Sequence, residues 1–211
     1  MTKVILHLCA DTGSDSKPWA DAGYTVIKVG KDIGVENFSY QGEVYGVFAN
    51  PVCTEFSTAR KGGQPRNPDE GMFLVKECLR IIDEVKPKFW VIENPARGVL
   101  KNYLGEPTFK YQPYQYGSPW SKHTALWGTF NIPPVLYKTW KDVPESIKIK
   151  ELYIRPGRKI PSLAFMHQSH RKYIQEFDHF NTVDSDMEFR SLCSQKFAQA
   201  FYEANKPNET P

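Results

Sequence analysis

The sequence predicts an α/β fold, a sheet flanked by helices, and three observations predict it. A short apolar run at residues 4–8 passes through a small-residue turn into a helix and then a second strand, which is a βαβ unit. Two further apolar runs, 44–49 and 89–92, each end in a polar segment with a reactive side chain. Open α/β sheets put their ligand sites at such carboxyl ends.

Each element follows in order. After the strand at 4–8 comes Cys9-Ala10-Asp11-Thr12-Gly13-Ser14, then a helix through Trp19 to Ala22 that Gly23 stops. The second strand, 24–29, leads into Gly30-Lys31-Asp32. A small-residue turn lets a cofactor approach the backbone at a helix N-terminus. An acid just past the second strand, Asp32, suits a ribose hydroxyl pair. The third strand, 44–49, delivers Asn50-Pro51-Val52-Cys53-Thr54-Glu55-Phe56-Ser57. A polar, basic, glycine-containing loop follows, with Arg60, Lys61 and Arg66 suited to phosphates.

Pro68-Asp69-Glu70 then starts a helix over 71–85, whose Phe73, Leu74, Cys78, Leu79, Ile81 and Ile82 fit one broad buried face. Lys86-Pro87-Lys88 ends it before the strand at 89–92, and Glu93-Asn94-Pro95 opens a short helix over 95–100. Prolines at 133, 134, 144, 156 and 161 and the basic run Arg155-Pro156-Gly157-Arg158-Lys159 predict loops with little regular structure. Residues 189–205 read as one capped helix with Leu192, Phe197, Ala200 and Phe201 packed, and 206–211 as a frayed tail.

At 211 residues the chain forms one good-sized domain, or a domain with a small appendage. A net charge of +3 permits a nucleic-acid partner without requiring one. Cys9, Cys53, Cys78 and Cys193 form no CxxC pair, which argues against a zinc site and against a disulfide framework. Reduced thiols point to a cytoplasmic setting. The first residues are too short and strand-like for a signal peptide, and no apolar run reaches membrane-spanning length.

Cys53 and Glu93 carry the chemistry. A thiolate is a strong nucleophile that can later leave, and a carboxyl group can assist by protonating the ring it attacks. The Cys53 segment resembles the Pro-Cys loop of DNA cytosine-C5 methyltransferases, and Glu93-Asn94 resembles their Glu-Asn motif. The resemblance implies a Rossmann-like, S-adenosylmethionine-dependent methyltransferase fold with a mixed sheet. It implies that Cys53 adds to C6 of cytosine, that Glu93 engages N3 and the exocyclic amine, and that C5 takes a methyl group from S-adenosylmethionine. It assigns the cofactor to Asp11, Thr12, Gly13, Ser14, Asp32, Asn50 and Pro51, and the substrate to Ser57, Arg60, Lys61, Asn94 and His123.

A third segment, Gln115-Tyr116-Gly117-Ser118-Pro119-Trp120-Ser121-Lys122-His123-Thr124, resembles the family's Tyr-Gly-x-Pro-Gln-x-Arg-x-Arg motif. Tyr116, Gly117 and Pro119 match. Trp120 stands at the glutamine, and Lys122 and Thr124 stand at the two arginines, which makes Lys122 the third candidate catalytic residue. Val52 replaces a proline before the cysteine, Pro95 follows Glu93-Asn94, and Leu8-Cys9-Ala10 stand where the family has a phenylalanine and more glycines.

Four segments follow: a catalytic core over 1–132, a short irregular basic segment over 133–184 in place of a target-recognition domain, a helix returning to the core over 185–205, and the tail. The resemblance implies DNA as partner, with base flipping, no metal, and compact phage or prophage relatives whose modification protects DNA from restriction. Two alternatives stand beside it. One is a catalytically degenerate protein that binds nucleic acid or protein, and the other is a methyltransferase of free cytosine nucleotides.

Overall fold

In the computed structural model, residues 3–10, 12–57, 67–180 and 182–208 are described. Strand β1 (Val4–Leu8) pairs in parallel with β2 (Thr25–Val29) on one side and β3 (Gly46–Ala49) on the other. Strand β3 pairs in parallel with β4 (Phe89–Pro95), and β4 pairs antiparallel with β6 (Thr124–Thr129). With β5 (Phe109–Tyr111) the six-stranded order is β2-β1-β3-β4-β6-β5. Helices α1 (Lys17–Asp21), α2 (Pro68–Val85) and α3 (Lys101–Leu104) lie in the connections. This is the expected α/β, Rossmann-like arrangement, a mixed sheet flanked by helices.

The chain divides into two compact units, Met1–Lys110 with Thr124–Phe130, and Tyr111–His123 with Asn131–Pro211. In the first, Leu6, Leu8, Val47, Ala49 and Ile92 of the sheet pack in one core with Val75, Cys78 and Ile81 of α2. Helix α2 starts where Asn67 accepts the Glu70 amide at 3.3 Å and Pro68 takes the first position, and it stops where Lys86 turns left-handed. Its buried stripe is Met72, Val75, Cys78, Ile81 and Ile82, whereas Phe73, expected inside, is 49% exposed. At 3.6 residues per turn Phe73 lies off that stripe.

Two sequence-based elements differ. Strand β4 runs through Pro95 instead of giving way to a helix there. Proline biases Asn94 before it to extended backbone, and the Pro95–Thr124 pairing keeps the segment in the sheet. A turn then leads to α3.

The second unit has its own core of Trp120, Leu152, Leu163, Met166, Ile174, Phe177, Phe189 and Leu192. The segment expected to be irregular is a series of short 3-10 turns, yet Leu152, Leu163, Met166, Ile174 and Phe177 within it are buried. The single helix expected over 189–205 is two: α4 (Asp186–Ser191) and α5 (Gln195–Asn205). Leu192 leaves helical geometry, and Ser194 caps α5 by accepting the Phe197 amide at 3.1 Å. Glu176 completes the break, since its Oε2 accepts from the Gln195 amide at 2.9 Å and the Ser194 hydroxyl at 3.2 Å.

Candidate active site

Register brings the sequence-predicted residues of the first unit to one edge. Leu8 pairs with Val29 and with Ala49, and Ala49 pairs with Ile92. The next residues, Cys9, Gly30, Asn50 and Glu93, therefore leave the same carboxyl edge of three parallel pairings. Thr124 joins them from β6, opposite Pro95.

The Cys53 loop is a tight turn. The Cys53 carbonyl accepts from the Phe56 amide at 3.0 Å and the Ser57 amide at 2.7 Å. The chain around Glu93 holds this turn on both sides. Asn94 Nδ2 donates to the Pro51 carbonyl at 3.1 Å, and the Val99 amide donates to the Phe56 carbonyl at 2.9 Å. Gly98 makes the second contact possible, because a Cβ there would lie 2.9 Å from the Phe56 oxygen and 3.0 Å from the Pro95 oxygen. Phe56 is buried in the core, Cys53 and Ser57 are half-buried, and Val52 is exposed. The loop is thus anchored at its base while its tip meets solvent.

A buried polar chain lies behind this loop. His7, in the middle of β1, bonds Asn50 Oδ1 through Nε2 at 2.9 Å and Ser16 Oγ through Nδ1 at 2.8 Å. Burial pushes its pKa below the ordinary 6.5, against the Asp15 carboxylate and the Asn50 hydrogen bond, which raise it. The lowered pKa favours the neutral ring, in which Nε2–H donates to Asn50 Oδ1, while the Ser16 hydroxyl also reaches the Gly13 carbonyl at 3.2 Å. Asn50 Nδ2 in turn donates to Asp15 Oδ2 at 3.4 Å. The end of β3, and hence the start of the Cys53 loop, is tied to the turn after β1.

That turn carries the residues expected to hold the cofactor, of which Gly13 and Ser14 are buried and Thr12 is half-buried. Gly13 has φ +73°, and a Cβ there would meet the Lys28 side chain at 2.8 Å. Thr12 and Ser14 flank it with hydroxyls 3.4 Å apart. Asp32 lies exposed past the end of β2, in a turn whose continuation is held by Arg80, which donates to the Val35 and Phe38 carbonyls at 3.2 and 3.1 Å. A glycine turn and an exposed acid on one sheet edge fit a nucleoside group. Asn50 and Pro51 serve anchorage, the former through His7 and the latter through Asn94. Asp11, Arg60 and Lys61 lie outside the described residues.

Lys122 and His123 belong to the second unit. Lys122 Nζ donates to the Ser191 and Leu192 carbonyls at 2.9 and 3.3 Å, at the C-terminus of α4. His123 is exposed, and Trp120 is fully buried with its indole N–H on Glu176 at 3.0 Å. Asn94 is fully buried too. Sequence reasoning missed His7, Gly98, Val99 and Glu176. Only His7 carried a signal, a polar residue inside an apolar strand. Among the described residues no cluster of His, Cys, Asp or Glu is arranged to hold a metal. Among them also, no helix is long and apolar enough to cross a membrane.

No protein-family model matches the chain. Over 94 residues, 38% of this chain and 44% of the relative, it is 31% identical to a protein of Frog virus 3 (isolate Goorha) named "Probable DNA (cytosine-5)-methyltransferase". The match thus spans less than half the length of that relative. A solved structure from E. coli described as a "putative DNA modification methyltransferase encoded within prophage" overlaps 77% of this chain and 53% of its own, at 15% identity and TM-score 0.43. That overlap is too loose to bear on function. The sequence likeness is to a protein named for DNA cytosine-C5 methylation, the family that the Cys53 and Glu93 segments resemble.

Proposed function

We propose that this chain methylates C5 of cytosine in DNA through a covalent Cys53 adduct, with S-adenosylmethionine as cofactor. One observation carries the reading: the turn holding Cys53 is hydrogen-bonded on both sides, at Pro51 and at Phe56, by Asn94 and Val99 of the segment that holds Glu93. A nucleophile and an acid on rigidly joined loops suit attack on one ring.

In this reading the Cys53 thiolate adds to C6, and the C5–C6 double bond yields its electron pair toward C5. Glu93, in its acid form, donates to N3 and so lowers the barrier to addition. When bound, S-adenosylmethionine supplies an electrophilic methyl group for C5. Loss of the C5 proton to a base then restores the double bond and expels the Cys53 thiolate. Thr12, Gly13, Ser14 and Asp32 would hold the cofactor. The Asn94 and Val99 hydrogen bonds keep Cys53 and Glu93 in fixed relation throughout.

The test is transfer of labelled methyl from S-adenosylmethionine to duplex DNA, single-stranded DNA and dCMP, with Cys53→Ser alongside. Label in 5-methylcytosine of DNA, lost in the variant, is the expected result. Label in dCMP alone would overturn DNA as substrate, and equal transfer by Cys53→Ser would overturn the covalent route.

A further inference from the structure

The positive charge of the chain is concentrated. Residues 148–172 hold seven Lys and Arg against Glu151 alone, a net +6 in a chain whose total is +3. Several of these groups have internal work. Lys148 pairs with Glu145 at 2.6 Å, and Arg171 donates to the Phe180 carbonyl at 2.6 Å. His167, nearby, is bonded to Asp186 at 2.6 Å.

Arg155 and Arg158 differ. Their guanidinium carbons lie 4.2 and 4.3 Å from the centroid of one ring, Phe165. No carboxylate among the described residues pairs with either. They belong to an exposed turn in which Tyr153, Ile154, Pro156, Gly157 and Lys159 are exposed too. The ring itself is half-buried. Its neighbours Leu163 and Met166 are fully buried, and the Leu163 amide and the Pro161 carbonyl are bonded to the Ser121 backbone at 3.1 and 2.9 Å. Arg155, Arg158 and Phe165 line a shallow surface cleft together with Tyr153 and Ile154.

Two cations stacked on one ring repel each other, and the ring offsets this only in part. An anion with several acceptor oxygens, bridging both planar forks, completes the arrangement. Exposed tyrosine and isoleucine beside them suit a polymer with apolar sugar edges more than a free inorganic ion. We propose that the Arg155–Arg158–Phe165 cluster is a phosphodiester clamp that grips the backbone of duplex DNA. The choice of duplex DNA rests on the proposed methyl-transfer reading, while the anion site itself does not.

The experiment measures binding of the full chain to a labelled duplex over a range of salt concentrations. Wild type is compared with Arg155→Ala/Arg158→Ala and with Phe165→Leu, which keeps apolar bulk but removes the ring. The double variant is expected to bind more weakly on every sequence, with a salt slope smaller by about 0.9 for each phosphate released. Phe165→Leu should weaken binding in the same direction by a smaller factor. Unchanged affinity and slope in the double variant would overturn the clamp, even where wild type binds DNA and methyl transfer stands. Stronger competition by single-stranded RNA than by duplex DNA would overturn the assignment of partner. Conversely, weaker binding and a smaller salt slope in the double variant, in a protein that transfers no methyl group, would keep the clamp and sink the methyl-transfer reading.

Discussion

The Asn94 side-chain amide donates to the Pro51 carbonyl at 3.1 Å, and so joins the strand that carries Glu93 to the loop that carries Cys53. Asn94 is fully buried, so water cannot replace the bond. Asn94→Ala leaves the Pro51 oxygen short of a donor and should lower stability by about 1–3 kcal/mol. Urea unfolding of the variant checks this; a midpoint equal to wild type would show that the bond is not holding the loops.

Gly98 sets the other anchor. A Cβ at this position presses on the Phe56 and Pro95 carbonyls at 2.9 and 3.0 Å, both backbone atoms that cannot rotate away. Gly98→Ala should cost about 1–3 kcal/mol, as overpacking does. In the proposed mechanism it should also reduce kcat more than KM, since it shifts Cys53 relative to Glu93. Thermal unfolding and steady-state kinetics read the two effects separately.

Glu93 has the proposed task of donating to the ring. Glu93→Gln keeps the shape and loses the acid, so methyl transfer should fall by about a hundredfold or more. Single-turnover transfer of labelled methyl measures it, and a wild-type rate would remove Glu93 from the chemistry.

His7 predicts an acid limit to stability. Burial depresses its folded pKa below the ordinary 6.5, so the unfolded chain takes up this proton first as pH falls. The His7 contribution is complete above that value and is lost on acidification through and below it, by at most about 1.4 kcal/mol per pH unit. Asp15 raises and Lys28 lowers the same pKa, with burial the largest cause. Unfolding followed between pH 7.5 and 5, roughly the span in which a histidine titrates, should show the decline. His7→Gln should flatten it.

Glu176 caps α5 and takes the Trp120 indole N–H as well. Glu176→Ala strands buried donors and should lower stability by about 1–3 kcal/mol. Hydrogen exchange should rise at the Gln195 amide, which loses its acceptor.

Much of the site was legible in the sequence because strands announce themselves. Apolar runs at residues 44–49 and 89–92 end in Asn50 and Glu93, and parallel register puts both on one edge. The break at Leu192 was not legible, since the helical pattern of Phe189 and Phe197 continues across it. Only a carboxylate from Glu176, far away in sequence, stabilises a new helix start there. Phe73 showed the same limit, for a broad apolar face does not say which side meets the sheet.

By itself, the sequence determined the strand order of chemistry: a glycine turn, an acid, a cysteine loop and a Glu-Asn segment, each after an apolar run. Local patterning suffices for this because side-chain periodicity and turn residues act over a few positions. Tertiary structure alone decided what holds those loops together. The bonds Asn94–Pro51, Val99–Phe56 and His7–Asn50 join residues 43 positions apart in sequence, with Val99 and Phe56 likewise distant. Such pairings depend on register and burial in the folded sheet, where unpaired polar groups are costly and the backbone must satisfy them.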